Sequence, residues 1–481
     1  MALGISDPRG LSGKVGSGRS GPELVRALNV WHATSIVAGT IIGSGIFLVP
    51  AEMMQAVGSA RLVYLAWVVG GLLSFFGALT YAELGSVRPF AGGEYVYVRD
   101  AYGPLSGFLY GWTWFLIAKP ASIASVTAGL VRVLGTFSAF SFLPQTLFTL
   151  HLTANRALLI NYGHLVAITA TVLITGLNYV GVRKAGDFQF AFTVLKVAMI
   201  VGIAFIALTA ASGSWSNFGT HYAGARGGMT GFMAALVAAL WAYDGWNDLN
   251  MVSEEIQRPE RTIPIALICG VGLVAVLYMG MNAGIQRALP ATAIAKAAVP
   301  ASAATEAVLG PIAISLVSIG MMISMLATLN GTVMSGGRVP FAVARDGYLF
   351  KALAEVHPKF HTPAVALVIQ AAVAIVLVLV GGAFKELFSL AIFAEWLFYM
   401  VAASTIFVFR RREPEVNRPY RTTGYPVVPA LFIGTAAVLL CYTFASNLRN
   451  SIAGVMVILL GIPVYLWFAR QRRIGLLRSS D

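Results

Sequence analysis

Charge is scarce in this chain of 481 residues: Lys, Arg, Asp and Glu together make up 11% of it, against about 25% in ordinary soluble domains. A chain of this length could hold several soluble domains. However, a soluble globule has to cover itself with polar groups, and here 58% of residues are hydrophobic with 50 Gly besides. That balance excludes a soluble enzyme and a disordered chain. Cysteine is almost absent. Cys269 and Cys441 are the two, both inside apolar runs, which excludes a disulfide scaffold and leaves them as small apolar packing residues. The first 26 or so residues lack the short apolar segment and cleavage site of a signal peptide. They are Gly- and Ser-rich and carry Arg9, Lys14, Arg19 and Arg26, the composition of a polar tail.

Signatures of catalysis and metal binding are missing too. Gly43-Ser44-Gly45 meets Leu48 where a dinucleotide fingerprint needs its third Gly. His357 and His361 have the spacing of a zinc helix, but Pro358 sits between them in a polar loop. There is no Gly-x-Ser-x-Gly elbow, phosphate loop or Cys-x-x-Cys. No enzyme activity, metal or cofactor is expected.

What is present is a succession of apolar runs, each long enough for a hydrocarbon core of about 30 Å. Twelve spans are read at about 31–52, 61–87, 104–133, 158–179, 188–211, 230–255, 264–288, 312–336, 363–381, 386–409, 427–446 and 452–469. The fold class is therefore an all-α integral membrane protein with 12 transmembrane helices and lipid as its solvent. The net charge of +13 follows from topology. Termini and even-to-odd connections carry 23 Lys and Arg, the other connections carry eight, and Lys119 and Lys196 lie within spans. The rich side is cytoplasmic, which puts both termini inside a cytoplasmic membrane and removes the reason to invoke nucleic acid.

Two spans are interrupted. Span 1 has Gly39, Gly43 and Gly45. Two readings stand for these residues: an unwound segment lining a cavity, or a Gly-x-x-x-Gly packing face. The middle of span 6 runs Trp241-Ala-Tyr-Asp244-Gly-Trp246-Asn247-Asp248-Leu-Asn250. An Asp at mid-membrane costs about 2.5–3.5 kcal/mol on insertion scales, and its default reading is a functional interior site. The breaks are five spans apart, an odd number, so a second five-helix unit would be inverted. Matched breaks in inverted halves point to a transporter's midplane site. A helix N-terminus in span 1 suits a carboxylate, and oxygens of span 6 suit an ammonium. An amino acid has both.

Those residues carry a family resemblance. Thr40-Ile-Ile-Gly-Ser-Gly-Ile-Phe47 resembles the span-1 signature of the amino acid–polyamine–organocation permeases. Ala242-Tyr-Asp-Gly-Trp-Asn247, Glu254-Glu255, Pro259 and Ile263-Pro264 resemble the L-amino-acid-transporter branch and its bacterial relatives. So do Asn330-Gly331, Arg338, Arg345-Asp-Gly347, His357-Pro358, Thr362-Pro363, Arg418-Pro-Tyr-Arg421 and Gly424-Tyr-Pro426. The resemblance implies a LeuT-like fold with repeats over 28–211 and 228–410 and two further helices over 426–470. Cytoplasmic tails over 1–27 and 471–481 would flank a transporter domain at 28–470.

By the same resemblance, Ile42, Gly43, Ser44, Gly45 and Ile46 fall on the substrate-carboxylate site, and Trp241 on an aromatic lid external to the substrate. Ala242, Tyr243, Asp244, Trp246 and Asn247 complete the span-6 side. Asp244 replaces a Gly of well-known animal members, which favours small substrates. Two readings stand for it, a direct contact with the ammonium or a side chain turned away. Lys196, about 12 Å into span 5 at helical rise, either snorkels to the interface or, as the resemblance implies, places its ammonium where sodium-coupled relatives bind sodium.

Lys119, followed by Pro120, is read as interior packing or gating. Glu83 and Glu395 are expected to pair with loop Arg, Asp248 to cap the second half of span 6, and Glu254 and Glu255 to pair with basic residues. Trp112, Trp114 and Trp396 read as interfacial or packing aromatics. The loop near 134–157 has no Cys, so no disulfide-linked glycoprotein partner of the animal type is expected. Together these imply alternating-access, sodium-independent transport of small neutral amino acids, by exchange in the first reading and by proton symport in the second. A non-transporting receptor or a channel is the reading from another class.

Overall fold

The structure is a computed structural model that describes residues 22–153, 156–380, 384–446 and 448–478. Most of the two expected tails, all of 1–21 and 479–481, lies outside the described residues. The chain folds as helices α1 (Val30–Ile41), α2 (Gly45–Val57), α3 (Ala60–Val87), α4 (Glu94–Tyr102), α5 (Pro104–Thr113), α6 (Lys119–Leu134), α7 (Tyr162–Tyr179) and α8 (Val182–Thr209). It continues through α9 (Gly228–Ala242), α10 (Asp248–Met251), α11 (Pro259–Ala288), α12 (Ala291–Lys296), α13 (Pro300–Leu309) and α14 (Ile312–Gly336). Last come α15 (Arg338–Arg345), α16 (Ala364–Val380), α17 (Phe384–Arg412), α18 (Val427–Ser446) and α19 (Leu448–Arg478). Among the described residues, eight helical segments are long and apolar enough to cross a membrane, and the chain is a multi-pass membrane protein.

Local chemistry fixes the helix ends that matter. Asn29 Oδ1 accepts the N–H groups of Trp31 and His32 at 3.0 Å, while His32 Nδ1 accepts the Asn29 N–H. This is a reciprocal cap that starts α1. Between α5 and α6 the third run winds as a five-residue π segment, Trp114–Ala118. Pro120 lies just beyond it and has no N–H to give the preceding turn. The loop expected at 134–157 and the start of the fourth run instead contain antiparallel strands, β1 (Thr146–Thr153) and β2 (Arg156–Asn161). The fourth helix consequently begins later, where Asn161 and His164 form a second reciprocal cap.

The two broken helices lie side by side and run in opposite directions. At one end Leu28, before α1, bridges to Ile256 after α10. At the other, Gly58, after α2, accepts the N–H of Tyr222 at 2.9 Å, and Gly227 donates to Ala56. The interior around them is packed with apolar side chains from α1, α3, α8, α11 and α14. Cys269 and Cys441 are exposed on the outer surface of α11 and α18, not packed inside as their apolar neighbourhood suggested. A helix that is apolar all round gives no sequence signal of which face meets lipid.

Candidate functional site

α1 ends at Ile41 and α2 starts at Gly45, leaving Ile42-Gly43-Ser44 between them. The first N–H groups of α2, at Gly45 and Ile46, have no acceptor within their own helix. Their dipoles point across the break from α2, where Gly43 and Ser44 are half-buried. Gly39 and Gly43 part company here. A Cβ on Gly39 would lie 2.1 Å from Gln189 Nε2, so Gly39 is a packing contact with α8, whereas Gly43 has nothing closer than Thr328 Oγ1 at 3.7 Å.

The second break, Tyr243 to Asn247, separates α9 from α10. It meets the first directly. Thr40 Oγ1 donates to Gly245 O at 2.8 Å. Gly245 has φ +108°, a backbone conformation that suits glycine, and a Cβ there would sit 3.1 Å from the Thr40 backbone. Gly45 lies close to Ala242, and a Cβ on it would sit 3.1 Å from the Ala242 Cα. Tyr278, on α11, shares its hydroxyl proton between Ile41 O at 3.2 Å and Ala242 O at 2.9 Å, tying the carbonyl ends of α1 and α9 together. Nothing in the sequence marked it, because a Tyr in an apolar run is unremarkable there.

The side chains expected at the second break divide. Trp241 is half-buried on a stripe of α9 with Ala234 and Ala238, and this stripe faces Glu52 and Gln55 of α2. A cavity of about 320 Å³ lies along this stripe, lined by Glu52, Gln55, Ala56, Arg226, Ala234 and Ala238. Tyr243 is turned away and buried against Trp67 and Tyr278. Trp246 is also turned away, into a cluster with Tyr81, Tyr399 and Phe432. Asp244 accepts the Tyr399 hydroxyl at 2.8 Å, and Asn247 Oδ1 lies 3.1 Å from the same hydroxyl.

Lys196 is fully buried. Its ammonium donates to Gly39 O at 2.6 Å and Ile42 O at 2.7 Å, with Ser324 O at 3.5 Å. It points at the carbonyl end of α1, where a helix dipole favours a cation, and not along the helix toward an interface. Ser324 and Thr328 of α14 donate to Ile42 O as well.

Below the second break is a buried polar cluster. Lys119 pairs with Asp248, which is also the first residue of α10. Glu395, 8% exposed, has Asp244 and Lys119 as its charged neighbours. It is therefore not paired with a loop Arg as the sequence suggested, because α17 carries it inward to this cluster. Glu83 does pair with Arg410 and Arg418. Glu94, in a stretch that reads from sequence as a polar loop, is fully buried and accepts the Asn247 side-chain N–H at 2.7 Å.

Glu94 is delivered by a tight approach of chains. Gly92 donates to Met251 O at 2.9 Å, and a Cβ on Gly93 would lie 2.7 Å from the Asn250 carbonyl carbon. Burial pushes the Glu94 carboxyl up to about 7, with the Asn247 hydrogen bond pulling the other way. Beyond the cluster, Asp248, Leu249, Asn250 and Met251 are at most 1% exposed. Two ion pairs close over them, Arg338–Glu255, wholly buried, and Arg345–Glu254. Among the described residues, no group of His, Cys, Asp and Glu is arranged to hold a metal ion.

The chain is similar to known proteins along nearly its whole length. Residues 28–469 match the family model described as amino acid permease. The chain is 30% identical to the serine/threonine exchanger SteT of Bacillus subtilis (strain 168), over 93% of this chain and 98% of that one. It is also 30% identical to the human b(0,+)-type amino acid transporter 1, over 94% and 89%. With the human cystine/glutamate transporter it shares 29% identity over 95% and 88%.

Proposed function

The chain belongs to the amino acid permease family, and from that premise we propose that it exchanges small neutral amino acids across a cytoplasmic membrane by alternating access, independently of sodium. It is a transporter of amino acids and not an enzyme. The observation that carries the reading is the contact of the two breaks, Thr40 Oγ1 to Gly245 O. It sets the N–H end of α2 beside the carbonyl ends of α1 and α9, so one zwitterion can be held at both charges. A buried zwitterion needs both compensated, since an unpaired charge there is heavily penalised.

In this reading Ile42 to Ile46 hold the carboxylate, and Trp241 lids the pocket. Ala242, Tyr243, Trp246 and Asn247 serve through the backbone of the second break. Asp244, bonded to Tyr399, acts as a turned-away residue whose charge disfavours acidic substrates. Lys196 takes the place of a sodium ion. The architecture is a LeuT-like set of twelve spans, with both termini cytoplasmic and an inverted repeat whose broken members are α1–α2 and α9–α10. The chain works without a glycoprotein subunit.

The test is uptake of radiolabelled serine and alanine into proteoliposomes containing the purified chain alone. Uptake is expected to require internal amino acid and to be indifferent to replacing sodium with choline, with glutamate inert as a competitor. Uptake stimulated by sodium, equal uptake into empty vesicles, or glutamate outcompeting alanine would overturn the corresponding element.

A further inference from the structure

The buried cluster below the second break holds four carboxyls, Glu94, Asp244, Asp248 and Glu395, and a single ammonium, that of Lys119. Lys119 is committed to Asp248. Glu94 is hydrogen-bonded through one oxygen only. One oxygen takes the Asn247 amide, and Oε2 has no hydrogen-bond partner at all. The Tyr110 hydroxyl faces Glu94 and is likewise buried without a partner. The groups around Glu94 are Tyr81 from α3, Tyr97 from its own helix, Tyr110 from α5, Lys119 from α6, Asp248 from α10 and Tyr399 from α17. From α15, Arg338 and Arg345 are turned to Glu255 and Glu254. An ionised Glu94 would thus be a fully buried charge whose one cationic neighbour, Lys119, is already paired with Asp248, a costly state. A protonated Glu94 can donate to the orphaned Tyr110 oxygen.

We propose that Glu94 is the proton-binding residue of the cytoplasmic gate, carrying a proton while the gate is sealed and releasing it to the cytoplasmic side when the gate opens. Resting on the alternating-access reading above, the proposal adds a regulatory proton to it. The gate reads the proton through Asn247, whose amide joins Glu94 to the second break and whose oxygen shares the Tyr399 hydroxyl with Asp244. The sign follows from burial. The sealed state raises the Glu94 carboxyl to about 7, and opening to water returns it toward an ordinary value of about 4.3. The sealed state therefore binds the extra proton, and acid on the cytoplasmic side holds the gate shut. Linkage puts the change in the sealed-to-open ratio at about tenfold between about pH 8 and about pH 6.

The experiment uses right-side-out membrane vesicles holding the full chain in its native orientation, loaded with unlabelled serine and given radiolabelled serine outside. The initial exchange rate is followed as internal pH is set from about 8 to about 6, at constant external pH near neutral. The native chain is expected to slow by up to about tenfold, and Glu94→Gln to be slow and flat across the same range. A second variant, Glu94→Asp, keeps a titrating carboxyl and should keep an internal-pH response with a displaced midpoint. A flat native profile overturns the proposal, as does a Glu94→Gln chain that retains the native response or a Glu94→Asp chain that loses it. If the native chain exchanges serine at every internal pH without a response, the gate proposal alone fails. If it exchanges no amino acid at any pH, the transport reading fails and takes the proposal with it.

Discussion

One buried charged region lies against each of the two breaks, and they solve the same problem differently. Among the described residues Lys196 has no counterion. Backbone oxygens of Gly39, Ile42 and Ser324 receive its ammonium, and the carbonyl end of α1 supplies fixed negative dipoles. The cluster of Glu94, Lys119, Asp244, Asp248 and Glu395 relies on mobile side chains, with one ion pair and the neutral groups of Asn247 and Tyr399 spread among four carboxyls. A charge held by a helix end is fixed for as long as the helix ends there. A charge held by side chains depends on the protonation and position of each neighbour. The first arrangement suits a permanent post beside the substrate, and the second suits a junction that changes state.

The sharpest way to break the comparison is to remove one partner of the side-chain cluster. Lys119→Met leaves Asp248 buried and unpaired and is expected to destabilise the protein by about 3–5 kcal/mol, measured by thermal unfolding of the purified chain. Lys119→Met with Asp248→Asn should recover part of that loss, because the orphaned charge is gone. Additive single and double losses would show that the pair is not coupled.

The fixed post is tested by Lys196→Ala. Losing charge-assisted bonds worth about 2–3 kcal/mol in all should slow exchange on the order of 100-fold. Serine binding should change far less, since the ammonium braces α1 against α8 and α14 through backbone oxygens alone. A variant that loses binding and turnover in parallel would place Lys196 in the pocket. The smallest effect is expected at the clamp between the breaks. Tyr278→Phe leaves the Ile41 and Ala242 carbonyls without their shared donor, and it should cost about 1 kcal/mol of stability. Exchange should slow severalfold with an unchanged competition series. A changed preference among serine, alanine and glutamate would instead make Tyr278 a substrate contact.

What was legible in the sequence is what violates the rules of an apolar span. Gly43 and Gly45, the Tyr243-Asp244-Gly245 run and Lys196 stand out because glycine, carboxylate and ammonium are costly inside a membrane helix. Glu254 and Glu255 were placed with basic partners, and the pairs with Arg345 and Arg338 are present. Glu94 was missed because an acid in the polar segment between the second and third runs violates nothing. Its importance comes from the tight approach of Gly92 and Gly93 to α10. Glu395 was assigned the wrong kind of partner, since its distance from a span end says nothing of which helix it faces. The strands at 146–161 escaped notice because a short alternating stretch between long apolar runs is a weak signal.

Membrane class, the positions of both breaks and the anomaly of Lys196 within an apolar run were determined by the sequence alone, because each depends on local hydropathy and on the cost of a polar residue at one place along one helix. Which groups face one another was decided only by the tertiary structure. Tyr243 and Trp246 point into aromatic packing, Asp244 meets a Tyr from α17, and Glu94 meets an Asn more than 150 positions away. Helix rotation and tilt set those directions. They come from the packing of each helix against its neighbours, which no single stretch of sequence contains.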